Sequence, residues 1–528
     1  YYDAYKKDMT AGTYPDVRSG LQKLLKDGLL LFNYTGHGGT TALSDEKVLT
    51  QTDINQFTYT HLPVWVTATC DFTRFDDLNT SAGEDVFLNK SSGGIALFTT
   101  VRVAYSRPNF PINDNVIRNL FERNNGRRRT LGEVMQATKN TLSSVYKLGF
   151  CLIGDPAVKM AYPEFGMKVT TVNGQSVDGN SISFKALEKI TVEGEVLDAS
   201  GQLVTDFTGI VNPTVKDSKV TVTCLKNSNK DDSPAFTFTD YPNTIFIGND
   251  SVRNGKFSFT FTVPKDISYS NLQGKMNLYA VDTESGNEAQ GNFDNFIVGG
   301  TSDTAETDTI GPEIRALYLN DTTFMDGGQV NTTPYFVAEL WDKSGVNITG
   351  SSVGHDMMLV IDESTVLSYN LNSYYELLPG EDGTGIVKFP IPALEPGKHT
   401  AEFWVWDILN NSTVRTFTFE VVEGLKPFLF DVIATPGIAR EQVTFHLMHN
   451  RPESRMRVGI MVYDLAGRQL WKHEESGTSG LFENYTVSWD LTSGGARMRP
   501  GVYIYRAAIS TDNSKDATKA RKFIILGE

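Results

Sequence analysis

The chain has 528 residues, 40% of them apolar and 21% charged, with a formal net charge of −15. That length sets a prior of three or four domains, each large enough for its own core. The acidic balance disfavours nucleic acid as a partner, three Cys exclude a disulfide scaffold, and no apolar run approaches a membrane span.

The numbering opens at Tyr1 with no initiator Met and no signal-peptide pattern, so a start inside a longer protein is expected. Tyr14–Asp27 reads as an amphipathic helix with Val17, Leu21, Leu24 and Leu25 on one face and Gly28 at its end. Leu29–Tyr34, Pro63–Ala68 and Gly94–Thr99 are apolar, rich in β-formers and too short for helices, so they read as strands. Helices are expected between and after them at Asp53–Phe57, Glu84–Lys90, Asn113–Asn124 and Thr130–Tyr146. Alternation of this kind predicts an α/β domain with a parallel sheet. Three strands make a small sheet against the usual five or six, and residues upstream of Tyr1 are expected to complete it.

The first strand breaks at Gly36-His37-Gly38-Gly39, and the second ends at Cys70. Parallel neighbours joined by a crossover bring the same end of each strand to one edge of the sheet, where open α/β sheets place their chemistry. His37 and Cys70 would then converge. A thiol attacks as thiolate, and a nearby imidazole can take its proton. Acyl transfer also needs hydrogen-bond donors for the oxyanion. Gly38, with no Cβ, can bring its N–H close to a substrate, and the N–H of Cys70 is the natural second donor. The alternative is a buried structural Cys and an unrelated loop His. Both residues lie just past apolar strands and one is flanked by glycines, which favours catalysis.

Other features of this stretch take simpler readings. Glu84 and Asp85 open a helix, where acids complement the dipole; Glu84 as a third catalytic member is the minority option. Asp71, Asp76 and Asp77 could hold Ca²⁺ or select a basic substrate group, but they lack an ordered ligand spacing, and no cofactor is otherwise implied. Thr100, Arg102, Tyr105 and Ser106 are candidates to line a substrate pocket. Arg127–Arg129 lead into a capping box at Thr130 and Glu133, and Cys151 reads as a core position.

Beyond about residue 163 the pattern changes to short alternating runs split by Gly, Asn, Asp and Ser clusters. Residues 164–300 read as an antiparallel β domain, with strands such as Lys219–Leu225, Lys256–Val263 and Lys275–Val281; Cys224 reads as packing. After the acidic linker Gly299–Thr309, residues 301–424 read as an immunoglobulin-like sandwich with strands at Tyr335–Trp341, Met357–Ile361, Gly385–Ile391, His399–Asp407 and Val414–Val421. Gly354-His355-Asp356 repeats the Gly-His look without a following Cys. Residues 425–528 read as a final β module, with a hairpin of Met456–Leu465 and Arg468–Lys472 and strands at Gly501–Ser510 and Ala520–Leu526.

Asn33-Tyr34-Thr35-Gly36-His37-Gly38-Gly39 and Val66-Thr67-Ala68-Thr69-Cys70-Asp71-Phe72 resemble the catalytic half of gingipain-type cysteine peptidases. The resemblance runs on through Gly93–Phe98 and Gly154-Asp155-Pro156-Ala157, and so covers about Tyr1 to Tyr162. It implies a caspase-like α/β fold, with His37 the catalytic His, Cys70 the nucleophile, and Gly38 with Cys70 the oxyanion donors. Val462–Arg468, Pro500–Tyr505 and Lys519–Leu526 resemble the C-terminal signal domain of type IX secretion cargo. Together these resemble the gingipain-like sortases of that system. Such a protein is expected to cut the signal domain from cargo through a Cys70 thioester and pass the cargo to anionic lipopolysaccharide. It would work at the outer membrane, on the cell surface, with an outer-membrane β-barrel carrier of the PorV type and attachment-complex proteins as partners. The alternatives are a secreted gingipain-like protease acting on environmental proteins, and a catalytically silent adhesin or scaffold.

Overall fold

Four short strands build the sheet of the first domain: β1 (Leu31–Thr35), β2 (Val64–Ala68), β3 (Ala96–Thr100) and β4 (Phe150–Ile153). They lie side by side in that order; β1–β2 and β2–β3 are parallel, and β3–β4 is antiparallel. The computed structural model describes every residue except 60, 91, 125, 228–233, 303–307, 351–353, 379–382, 512 and 527–528. Strands β2 and β3 are buried at every position, as parallel strands covered on both faces should be. The fourth strand departs from the three-strand expectation. Phe150-Cys151-Leu152-Ile153 is a short run directly after a 3₁₀ turn, and it adds an antiparallel edge that leaves Cys151 only partly buried.

Five helices flank this sheet: α1 (Pro15–Asp27), α2 (Gln51–Gln56), α3 (Ala82–Leu88), α4 (Ser106–Phe121) and α5 (Leu131–Thr141). Pro15 opens α1 at a position whose N–H would be unbonded anyway, and capping boxes start α2, α3 and α5. Helix α4 begins well before the expected Asn113 because Pro108 sits in its first turn and Pro111 is carried inside it. The Arg127–Arg129 run is paired rather than free, with Glu133, Glu164 and Glu122 as partners. One apolar cluster lies on each side of the sheet: Phe32, Trp65 and Leu97 with α1 and α3, and Val66, Phe98 and Phe150 with α4 and α5.

The remaining residues are β structure around separate apolar cores, so the chain is multidomain, α/β followed by all-β. In the second domain most of the ladder closes into a ring, because strand Lys189–Leu197 pairs with both Lys256–Thr262 and Phe165–Val172. It is not purely antiparallel: Phe296–Thr301 runs parallel to Ile182–Ala186, a direction that alternation does not encode. The third domain is a sandwich of a four-stranded and a five-stranded sheet, and the fourth packs a three-stranded sheet on a five-stranded one.

Named side chains join these units. Asp266 of the second domain is 7% exposed and accepts hydrogen bonds from Asn347 (3.4 Å) and Asn410 (2.9 Å) of the third. The ring of His355 meets the same carboxylate at 2.6 Å and packs on Trp406, so the second Gly-His pair is a junction between domains. Asp3 binds Lys226 and Asn227 of the second domain, and Lys26 on α1 pairs with Glu453 of the fourth.

The third domain also gathers Asp308, Asp342 and Asp407, whose carboxylates lie within 4.8 Å of one another. Burial, against two backbone hydrogen bonds and with added repulsion from Asp407 and Asp308, pushes Asp342 up to about 6. A raised carboxyl favours the folded state when protonated, so this contribution is present at low pH and is lost as pH climbs through about 6. Asp342→Asn keeps the oxygen that accepts from Ser344 and Gly345 while removing the charge. In chelator-containing buffer it is expected to raise the thermal midpoint of this sandwich by a few degrees at pH 8 and by almost nothing at pH 4, as read by calorimetry.

Candidate active site

The register of β1 on β2 sets the geometry. Phe32 lies opposite Trp65 and Thr35 opposite Ala68, so His37 and Cys70 each stand two residues past a paired position. They leave the sheet at the same edge, from adjacent strands. His37 is exposed and Cys70 half-buried.

The His37 loop is held by its backbone. The His37 carbonyl accepts from the Tyr34 hydroxyl (2.7 Å) and the Ser44 N–H (2.8 Å), and the Gly39 N–H donates to Ala42 (3.0 Å). Helix α4 braces the strand beneath, since Asn113 donates to Asn33 (2.9 Å) and Thr35 (2.6 Å). Among the described residues the His37 imidazole makes no hydrogen bond. It lines a cavity of about 1110 Å³ on the free side of β1, together with Phe32, Leu43, Phe110 and, from the second domain, Cys224 and Phe236.

The Cys70 turn is held by the segment after β3. The Cys70 thiol donates to the Ala104 carbonyl (3.2 Å), and Sγ accepts from the Ala104 N–H (3.4 Å). Asp71, in left-handed backbone at φ 49°, donates its N–H to Arg102, and the Thr73 N–H donates to Thr100. Three threonine hydroxyls link the turn to the sheet, Thr67 to Thr99 at 2.7 Å and Thr73 to Thr99 at 2.8 Å. The Ala104 contact is made by backbone, so no side-chain pattern announces it.

Two donors at this edge are unspoken for. Neither the Gly38 N–H nor the Cys70 N–H donates a hydrogen bond among the described residues. Donors left free beside a thiol are what a developing oxyanion requires. The loops that carry them abut, because a Cβ built on Gly38 collides with the buried Thr69 Oγ1 and lies 3.1 Å from Thr69 Cγ2.

The other candidates have different tasks. The Glu84 carboxylate accepts from the N–H and hydroxyl of Ser81 (2.8 and 2.6 Å), which makes it the cap of α3 rather than a partner of His37. Thr100 is 3% exposed and turns inward to Thr69, so it does not line an open pocket. Arg102 forms a two-pronged pair with Asp76 (2.9 and 2.5 Å), whose hydrogen bonds hold the Asp76 carboxyl below its usual range. Asp77 meets Arg74 at 3.6 Å and caps Leu78, so the acidic loop is internally engaged. Tyr105 is exposed and packs edge-on to Tyr146 at 5.3 Å; the side chain of Ser106 lies outside the described residues.

Residues 1–161 match the model of peptidase family C25. Among solved structures, the chain is similar to dimeric latent PorU from Porphyromonas gingivalis, at 34% identity over 98% of this chain and 47% of that one, with a TM-score of 0.34. It is also similar to the complex of the RgpB pro- and mature domains from the same organism, at 20% identity over 53% of this chain and 57% of that one, with a TM-score of 0.25. The chain thus spans about half the length of the PorU structure it matches. No curated protein matches it.

The Gly38–Thr69 contact is testable. Gly38→Ala is expected to push the His37 loop off the Cys70 turn and lower kcat/KM about 100-fold, the cost of an ångström-scale misplacement. Thr69→Ala removes both atoms that the new methyl meets first. The double variant should therefore recover much of the lost rate in a peptide-cleavage assay.

Proposed function

We propose that this chain carries the catalytic part of a cell-surface cysteine endopeptidase with transpeptidase activity, a gingipain-like sortase of the type IX secretion system. The observation that carries the reading is the pairing of Thr35 with Ala68, which delivers to one sheet edge His37, Cys70 and two N–H donors that have no acceptor among the described residues, in a stretch that matches the C25 model. The sortase rather than the plain peptidase is supported by the order of modules, with a signal-type β-sandwich closing the chain, and by the resemblance to PorU.

The reaction follows from these groups. His37 takes the Cys70 proton, and the thiolate attacks the carbonyl carbon of the bond ahead of a cargo protein's signal domain. The Gly38 and Cys70 N–H groups hold the oxyanion while an S–C bond forms. His37 returns the proton to the leaving amine as the C–N bond breaks, which leaves the cargo as a thioester on Cys70. An amine-bearing acceptor, anionic lipopolysaccharide in this reading, then attacks the thioester, gives its proton to His37 and restores the thiol. Water in place of the amine makes the same site a hydrolase. No helix among the described residues is long and apolar enough to cross a membrane. A peripheral place on the outer face of the outer membrane, through a β-barrel carrier, accords with that.

Cys70→Ala and His37→Ala are each expected to slow cargo cleavage about a thousandfold or more, so that uncut cargo accumulates. Cys224→Ala should leave cleavage intact. With wild-type protein, a cargo peptide and an added amine, the sortase gives ligated product by mass spectrometry. Hydrolysed acid alone would instead mark a secreted protease, and normal cargo processing by Cys70→Ala would mark a silent scaffold.

A further inference from the structure

Strand pairing between β2 and β3 stops at Thr67 opposite Thr99, which leaves the carbonyl of Thr69 beyond the ladder. That carbonyl does not go without a donor: the hydroxyl of Thr100, the last residue of β3, reaches it at 2.5 Å. Thr100 is 3% exposed, and its own carbonyl accepts from Thr73 on the far side of the Cys70 turn. One residue therefore grips both ends of the turn that carries the nucleophile.

The Thr69 carbonyl belongs to the same amide as the Cys70 N–H, and that peptide bond is trans. In a planar trans amide the C=O and N–H point in opposite directions, so fixing one fixes the other. A hydrogen bond accepted at the oxygen also polarises the amide and strengthens its N–H as a donor, because linked hydrogen bonds reinforce one another. Resting on the reading of Cys70 as nucleophile, we propose that Thr100 is a positioning residue for oxyanion stabilisation. Its hydroxyl aims and polarises the Thr69–Cys70 amide, so that the Cys70 N–H meets the oxyanion along its line. Thr100 touches no substrate; it acts through the peptide plane.

This role differs from that of a strut for the thiol. The contacts that place Sγ come from Ala104, whereas the Thr100 hydroxyl, the group the substitutions change, reaches only the amide behind the nucleophile. A rate that needs the oxyanion should depend on Thr100. One that needs only an accessible thiol should not. Alkylation of Cys70 by iodoacetamide is such a rate, since displacement at carbon passes through no oxyanion.

The experiment compares Thr100→Val, Thr100→Ser and Thr100→Ala in the full chain. Val keeps the shape and loses the hydroxyl, Ser keeps the hydroxyl, and Ala leaves room for water to reach the Thr69 carbonyl. Thr100→Val is expected to lower kcat for a cargo peptide about tenfold or more, with KM and the iodoacetamide rate within twofold of wild type. Loss of a whole oxyanion donor costs about 100-fold or more, so a misaimed one should cost less. Thr100→Ser should restore kcat, and Thr100→Ala should fall between. The inference is overturned if Thr100→Val keeps kcat within twofold, if its iodoacetamide rate drops in step with kcat, or if Ser fails to rescue. If Thr100→Val does not fold, Thr100→Ala carries the same comparison. Cys70→Ala runs in parallel: full cleavage by that variant sinks the reading of the site itself. An inert Cys70→Ala beside a fully active Thr100→Val removes the Thr100 inference alone.

Discussion

Phe32 faces Trp65 across the β1–β2 pair, with ring centroids 4.0 Å apart. Such a pair contributes about 0.5–1.5 kcal/mol beyond the area it buries. Its larger effect is on register. Trp65 is almost fully buried, and its ring N–H donates to Gly93, so it fits the core at one position along the strand. Sliding β1 by one residue would turn Phe32 to the opposite face and expose it to the wrong layer. The same slide would carry His37 past Cys70. Packing in the middle of the sheet and chemistry at its rim are thus one constraint.

What surrounds the rim is mostly backbone. The His37 carbonyl, the Ala104 peptide and the Thr69 carbonyl make the hydrogen bonds that shape the two loops, and among the described residues the N–H groups of Gly38 and Cys70 are left over. A site built this way is insensitive to the identity of many neighbouring side chains. It is sensitive to close approach, as the Gly38–Thr69 contact illustrates. Helix α4 and the threonine hydroxyls supply the stiffness that the short loops lack.

The core of this arrangement could be read from residue order. Apolar runs bounded by turn residues located β1, β2 and β3, and the glycines around His37 and the Cys at the end of β2 marked the edge that matters. Other parts left no trace in composition. Strand β4 is four residues long and its run is indistinguishable from a buried turn until it finds β3. The start of α4 was hidden by Pro108 and Pro111: the first turn of a helix tolerates the one, and the other is carried inside it. Thr100 looked like a pocket residue because it follows a strand at the right edge; only the packing shows that its hydroxyl faces inward. The ring in the second domain and its parallel pairings depend on partner choice, which alternation along one strand does not record.

That ring has a mechanical corollary. An open sheet can lose its outermost strand while the rest persists, and local opening of this kind starts at edges. A ladder in which Lys189–Leu197 is bonded on both sides offers no such starting place. The ring of the module between the first domain and the later sandwiches should therefore yield as one unit under load. Because Asp3 ties it to the beginning of the chain and Asp266 ties it to the third domain, tension applied at either neighbour is handed on rather than absorbed.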